Sequence, residues 1–155
     1  MNDEREIREI VNQFANLADV KDAKGQGELF LPEGVLEFQQ GEDGEIHNII
    51  GRDTIVSAFE NTIRPCKAVY HMNGQHVIRL HGDTAEGTAY CQATLINEKD
   101  GIDLMTVNDV RYLDHYKKVE GKWYLMKRRT TFVITDTHEY KKYRTVNNFV
   151  DKFSA

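Results

Sequence analysis

Histidines, cysteines and arginines are the side chains of this sequence best suited to chemistry. His71, His76 and His81 recur every five residues. On a regular strand an odd spacing sends successive side chains to alternate faces, which makes a poor metal cage. No metal site is expected, and no zinc, calcium, Walker or dinucleotide-binding pattern occurs. Cys91 sits among small residues with no sequence-evident base nearby, and reads as a packed thiol rather than a nucleophile. Arg128 and Arg129 follow Trp123 and Leu125 on a strand pattern. Adjacent strand residues face opposite ways, so one arginine can reach an interior and hold a carboxylate or phenolate. A surface pair is the simpler reading.

These residues need elements to position them, and the most informative element is Thr84 to Ile96. Thr84, Glu86, Thr88, Tyr90, Gln92, Thr94 and Ile96 alternate with Ala85, Gly87, Ala89, Cys91, Ala93 and Leu95. Period-two alternation of this length predicts a half-buried strand. Its apolar face is built almost wholly from small side chains. Such a face either lines a cavity or lets a helix approach closely with no cavity.

Upstream, Ile7, Ile10, Val11, Phe14, Leu17 and Ala18 recur at helical spacing. They predict an amphipathic helix capped by Asp3 and ending near Lys21. Gly25 and Gly27 break the pattern. A short helical turn is expected at Glu28 to Leu31, stopped by Pro32, and then a strand from Gly34 to Gln39. Gly51 to Thr62 predicts a second helix with Ile55 and Phe59 on one face. Four long strand patterns follow: Lys67 to Leu80, the small-residue strand, Leu104 to Val119, and Lys122 to Ile134. Their short turns demand antiparallel hairpins. Helices followed by a meander of strands give an α+β class, with one curved, mainly antiparallel sheet over the helices.

On strict parity His71 joins Asn73, Gln75 and Arg79 on a polar face. A bulge at Gly74 would instead turn Val69, His71 and Asn73 inward, with Ile78 and Leu80 inward after it. The tail from Thr137 to Ala155 spaces Tyr140, Tyr143, Val146, Phe149, Val150 and Phe153 at near-helical intervals. It predicts an extension covering a pocket mouth or a partner, so the chain divides into a cone domain at 1–136 and an extension at 137–155.

Of the 155 residues 40% are hydrophobic and 29% charged, which suits one soluble domain. A net charge of −5 without a basic stripe argues against nucleic acid. The charged start, MNDEREIREI, is no secretory leader, and no apolar run is long enough to span a bilayer. Cys66 and Cys91 form no metal or redox motif and read as reduced thiols in the cytoplasm.

Three segments carry a family resemblance: FANLADVKD followed by GELFLPEGVLEF, then IIGRDTIVSAF, then YLDHYKKVEGKWYLMKRR. The chain is identified as a SnoaL-like member of the nuclear transport factor two superfamily, near its scytalone dehydratase branch. The resemblance implies a cystatin-like cone, a bent sheet closing over a long helix around a cavity. Members include polyketide cyclases, dehydratases, isomerases and non-catalytic binding domains, so fold alone does not choose a chemistry.

FANLADVKD is similar to the first helix of scytalone dehydratase. The resemblance implies that Asp19 orients His71, whose strand carries YHMNG. A carboxylate fixes the imidazole tautomer and raises its basicity. The second histidine of that enzyme falls near Leu95, and its helper tyrosines near Ala18 and Phe38. Its strand asparagine falls near Tyr112, which can stabilise an oxyanion instead. Ketosteroid isomerase fits worse, because its donor and base align with Phe14 and Phe38.

The expected catalytic set is Asp19, His71 and Tyr112. Phe14, Phe38, Asn73, Ala89 and Cys91 are expected to contact substrate, together with Leu95, Val110, Trp123 and Arg128. No cofactor is expected. On an ideal helix Asp19 lies off the apolar stripe, so an exposed C-terminal carboxylate is the alternative. Two functions stay open. One is a cofactor-independent lyase or isomerase acting on a small apolar or aromatic molecule. The other is a non-catalytic binding or assembly domain. Apolar residues on both faces of Leu104 to Val119, Val107 and Leu113 against Val110 and Tyr112, predict a homodimer through the outer sheet face.

Overall fold

A computed structural model describes residues 2–141 of the chain. Helix α1 runs Asp3–Asp19 and α2 runs Ala23–Glu28. Strands β1 (Phe30–Gln40) and β2 (Ile46–Ile50) follow, then α3 (Arg52–Ile63). Four long strands complete the described chain: β3 (Ala68–His81), β4 (Thr84–Lys99), β5 (Ile102–Val119) and β6 (Lys122–Glu139). They form one sheet in the order β2-β1-β6-β5-β4-β3. Every pairing is antiparallel except β1 with β6. This is the expected α+β class with a curved sheet over the helices.

Helix α1 lays its stripe, Ile7, Ile10, Val11, Phe14 and Ala18, into the concave face, where all five are buried. Opposite them lie Ala85, Ala89, Cys91 and Ala93 of β4, so the small-residue face points inward as expected. The cap differs from expectation. Asn2 accepts from the amides of Glu4 and Arg5, while Asp3 opens the helix and binds Lys118 and Trp123.

The glycine-rich segment also departs from the sequence reading. Residues Ala23–Glu28 form a helix that includes Gly25 and Gly27, and Phe30 already begins β1. Asp22 caps this turn by accepting from the Gly25 amide. Gly27 is there for contact: a Cβ would lie 2.3 Å from Val56 Cγ2 on α3. Pro32 is accommodated inside β1, where the β1–β6 register is interrupted between Phe30 and Val35. Strand β2 was not foreseen, because its five residues fell between a turn and a helix signal.

The bulge expected at Gly74 is present. Asn73 opposes Cys91, yet His76 opposes Ala89, so β3 carries one extra residue. Val69, His71 and Asn73 face inward before it, and His76 and Ile78 after it. Leu80 shares that parity but is exposed at the strand end. Thr137 to Glu139 belong to β6, so the sheet continues past the expected boundary at 136. The rest of the helix or ordered extension expected from Thr137 to Ala155, beyond residue 141, lies outside the described residues.

Candidate functional site

Asp19 is the last residue of α1 and sits beside β3. Its Oδ1 lies 2.7 Å from His71 Nδ1, and its Oδ2 accepts the His71 backbone N–H at 3.1 Å. Strand β3 is a sheet edge, so one row of its amides has no strand partner, and Asp19 takes one of them. A carboxylate only accepts, so Nδ1 carries the proton and Nε2 keeps a lone pair in the neutral ring. The imidazole is 9% exposed and the carboxylate 27%, which puts the ring inside and the carboxylate at the rim. Asp19 reaches His71 although it lies off the stripe, because the helix ends there and the edge strand passes alongside.

His71 is one wall of a cavity of about 320 Å³. The helices contribute Phe14, Gln26, Ala58, Phe59, Thr62 and Ile63. The sheet contributes Leu36, Phe38, Ile49, Ala93, Leu95, Asn108, Val110, Tyr112, Thr130 and Phe132. Of the expected substrate contacts, Phe14, Phe38, Leu95 and Val110 therefore line the cavity, together with His71 and Tyr112 of the expected catalytic set.

The other five do not. Asn73 donates to the Val11 carbonyl at 3.2 Å and ties β3 to α1. Trp123 donates its indole N–H to Asp3 at the opposite end of α1. Ala89 and Cys91 are buried on the right face but lie under protein. Their strand is opposed by large side chains on β5, with Ala85 beside Tyr116 and Ala89 beside Tyr112. The small-residue stripe thus serves both readings: Ala93 and Leu95 border the cavity, and the remainder admits close packing.

Arg128 is neither on the surface nor at the ligand. It is wholly buried and paired with Asp114 through two bonds of 2.8 Å. Tyr116 donates its hydroxyl to the same carboxylate at 2.6 Å. The guanidinium stacks 3.8 Å from the Tyr112 ring and 4.4 Å from the Phe14 ring. Burial alone would weaken its hold on the proton, but Asp114 more than offsets this and raises the pKa. Arg128 therefore supports the two rings from behind. Arg129 is the partly exposed member, paired with Glu37 at 2.7 Å.

Burial pushes the Tyr112 phenol above its ordinary range, with the neighbouring Cys91 adding to the effect. It stays a neutral donor. Burial likewise raises the Cys91 thiol, which fits a packed thiol.

Sequence reasoning missed Asn108. His71 opposes Ala93, Ala93 opposes Asn108, and Asn108 opposes Thr135 across the sheet. The Thr135 hydroxyl donates to Asn108 Oδ1 at 2.9 Å and so fixes the amide. Its Nδ2 is left with no partner among the described residues. Only the Ala93 methyl stands between His71 and Asn108, whose strands are two spacings, about 10 Å, apart. Parity with Val110 and Tyr112 was the signal. Gln26, too, was hidden by its glycine neighbours. Its amide N–H donates to the Phe14 carbonyl at 3.3 Å, and its Oε1 is buried without a partner among the described residues. No cluster able to hold a metal ion occurs among the described residues.

Comparison with known proteins agrees with this architecture. A SnoaL-like domain profile matches residues 1–129. A candidate scytalone dehydratase from Novosphingobium aromaticivorans superposes with a TM-score of 0.70 at 19% identity, covering 89% of this chain and 87% of the other. An NTF2-like protein with a cystatin-like fold from the same species gives 0.60 at 24% identity, with 84% and 82% covered. A hexachlorocyclohexane dehydrochlorinase gives 0.69 at 10% identity, with 90% and 89% covered. At these identities the likeness speaks for the fold. No functionally curated protein matches the sequence. The profile spans most of the chain, and the protein belongs to the SnoaL-like domain family.

Proposed function

We propose that the protein is a cofactor-independent lyase or isomerase for a small, mostly apolar, neutral molecule. One observation carries this reading: Asp19 holds both the backbone N–H and the ring of His71 while the imidazole borders an apolar cavity. A bare binding pocket has no need of an oriented imidazole. In the proposed step, His71 Nε2 takes a proton from a carbon next to a carbonyl. The C–H electron pair moves into the new C–C double bond, and the carbonyl oxygen takes negative charge. Asn108 and Tyr112 are donors for that oxygen. In an elimination the oxyanion re-forms the carbonyl and the double bond shifts to the β-carbon. The β-substituent leaves with its bonding pair, taking the proton from the His71 imidazolium. In an isomerisation that proton returns at another carbon. Asp19 stabilises the imidazolium in between. Structural neighbours described as a dehydratase and a dehydrochlorinase lend support, since both names denote eliminations.

A second reading is a non-catalytic ligand-binding domain. Leu95 and Phe38 favour it, because they stand where scytalone dehydratase carries further catalytic groups. The test begins with mass spectrometry of small molecules that co-purify with the native protein. The enzyme reading expects Asp19→Asn to lower turnover of that compound about a hundredfold or more, with ligand affinity nearly unchanged. Tight binding of that compound with no turnover by the wild-type protein would favour the binding domain. We also place the protein in the cytoplasm, on the strength of two unpaired buried thiols. We infer a homodimer through the convex sheet face, where Tyr70, Met72, Val77, Leu113 and Ile134 are exposed.

A further inference from the structure

Two residues beyond Asp19 the backbone turns left-handed, with φ of 61° at Lys21. The Lys21 amide donates to the Ala18 carbonyl at 3.0 Å, and the Asp22 amide to the Leu17 carbonyl at 2.8 Å. This pair of bonds is a Schellman motif with Lys21 at the position where glycine is preferred, since a Cβ is disfavoured there. A lysine that accepts this strain has a use for its side chain. Its ammonium donates to the Arg64 carbonyl at 3.3 Å and to the carbonyl of Cys66.

Those carbonyls have their own need. Arg64 caps α3, and the last turn of α3 holds no basic residue. Lys21 brings the cation that a helix C-terminus favours. Cys66 leads into β3: the next amide, Lys67, donates to the Ile96 carbonyl at 2.7 Å and opens the β3–β4 pairing. Lys21 therefore ties three pieces together. The end of α1 carries Asp19, the end of α3 carries Thr62 and Ile63 of the cavity wall, and β3 carries His71. Arg8 and Asn73 tie α1 to β3 further back, at the carbonyls of His76 and Val11. The C-terminal end of α1 has Lys21 and Asp19 itself.

We propose that Lys21 is a positioning residue for the Asp19–His71 pair. Its ammonium clamps the end of α1 to the α3–β3 connection and sets the reach of Asp19 to the imidazole. The inference rests on the reading that this pair orients His71, and adds the device that holds the pair closed.

The test uses the full chain and needs no substrate. Lys21→Gly and Lys21→Asn both suit a left-handed backbone and lack the ammonium, whereas Lys21→Arg keeps a cation. The readout is water exchange of the His71 Nδ1 proton by NMR, beside the dispersion of the backbone amides. Lys21→Gly and Lys21→Asn should keep a folded spectrum while this proton exchanges at least about tenfold faster. Lys21→Arg should stay near the wild-type rate. Wild-type exchange in both ammonium-free variants would overturn the proposal. So would loss of the folded spectrum in both, which would make Lys21 a stability residue. Asp19→Asn separates the two readings. A protected proton in wild type that disappears in Asp19→Asn upholds the pair whatever Lys21 does. No protected proton in wild type removes the pair and the clamp together.

Discussion

Single residues in this protein take their roles from what is left over after their neighbours are satisfied. His71 has one ring nitrogen bound to Asp19 and one facing the cavity. Asn108 has its oxygen held by Thr135, and its nitrogen is the atom to spare. Arg128 is taken up by Asp114 and two aromatic rings, and only its Nη1 is left buried without a partner among the described residues. Arg128→Met would strand a buried carboxylate and should cost about 3–5 kcal/mol in urea unfolding. Adding Asp114→Leu should recover most of that loss. His76 gives a pH prediction. Burial lowers its pKa from the ordinary 6.5, Arg8 and Arg128 act in the same direction, and Asp114 and Glu4 oppose them. Folding favours the neutral ring, so its stability is fully present above the unfolded pKa. That stability is lost as pH falls through the folded one. The melting temperature should decline on acidification below about pH 6.5, and less steeply in His76→Gln. The resemblance in FANLADVKD made Asp19 legible. Arg128 was not legible, because alternation cannot tell an arginine bound inside from one outside, and its partner lies on another strand.

Elements were legible where one pattern dominated over many residues. The stripe of α1, the four long strands and their tight turns all follow from periodicity. The bulge at Gly74 followed from a lone glycine in a strand. Misreadings came where tertiary contact overrode local signals. Gly25 and Gly27 look like helix breakers, yet α2 needs them to approach its own cap and α3. Gly27→Ala should therefore destabilise by about 1–3 kcal/mol, measured by denaturant unfolding. Shortening the opposing side chain with Val56→Ala should restore part of it. The small face of β4 left a cavity and close packing both open, and Tyr112 and Tyr116 fill much of that space from β5. Sequence shows where room exists and not which neighbour claims it.

The whole molecule presents two faces of the same sheet with different tasks. The concave face holds α1 and the cavity. The convex face carries exposed Tyr70, Met72, Val77, Leu113 and Ile134, with little to cover them among the described residues. Sedimentation at micromolar concentration should find a dimer, and Leu113→Lys with Ile134→Lys should give a monomer that retains ligand binding. The α+β class and the outer apolar face were legible because alternation reports both sides of a strand. The strand order was less so, since β1 meets β6 rather than its sequence neighbours on one edge. That parallel pairing joins Glu37 to Arg129 across 92 residues. On a ribosome, Leu36 and Phe38 must wait for nearly the whole described chain before Thr130 and Phe132 close the cavity beside them. The N-terminal helix and β1 spend that interval with a hydrophobic face uncovered. This long-range closure predicts slower folding than a purely hairpin-built sheet of the same length would show.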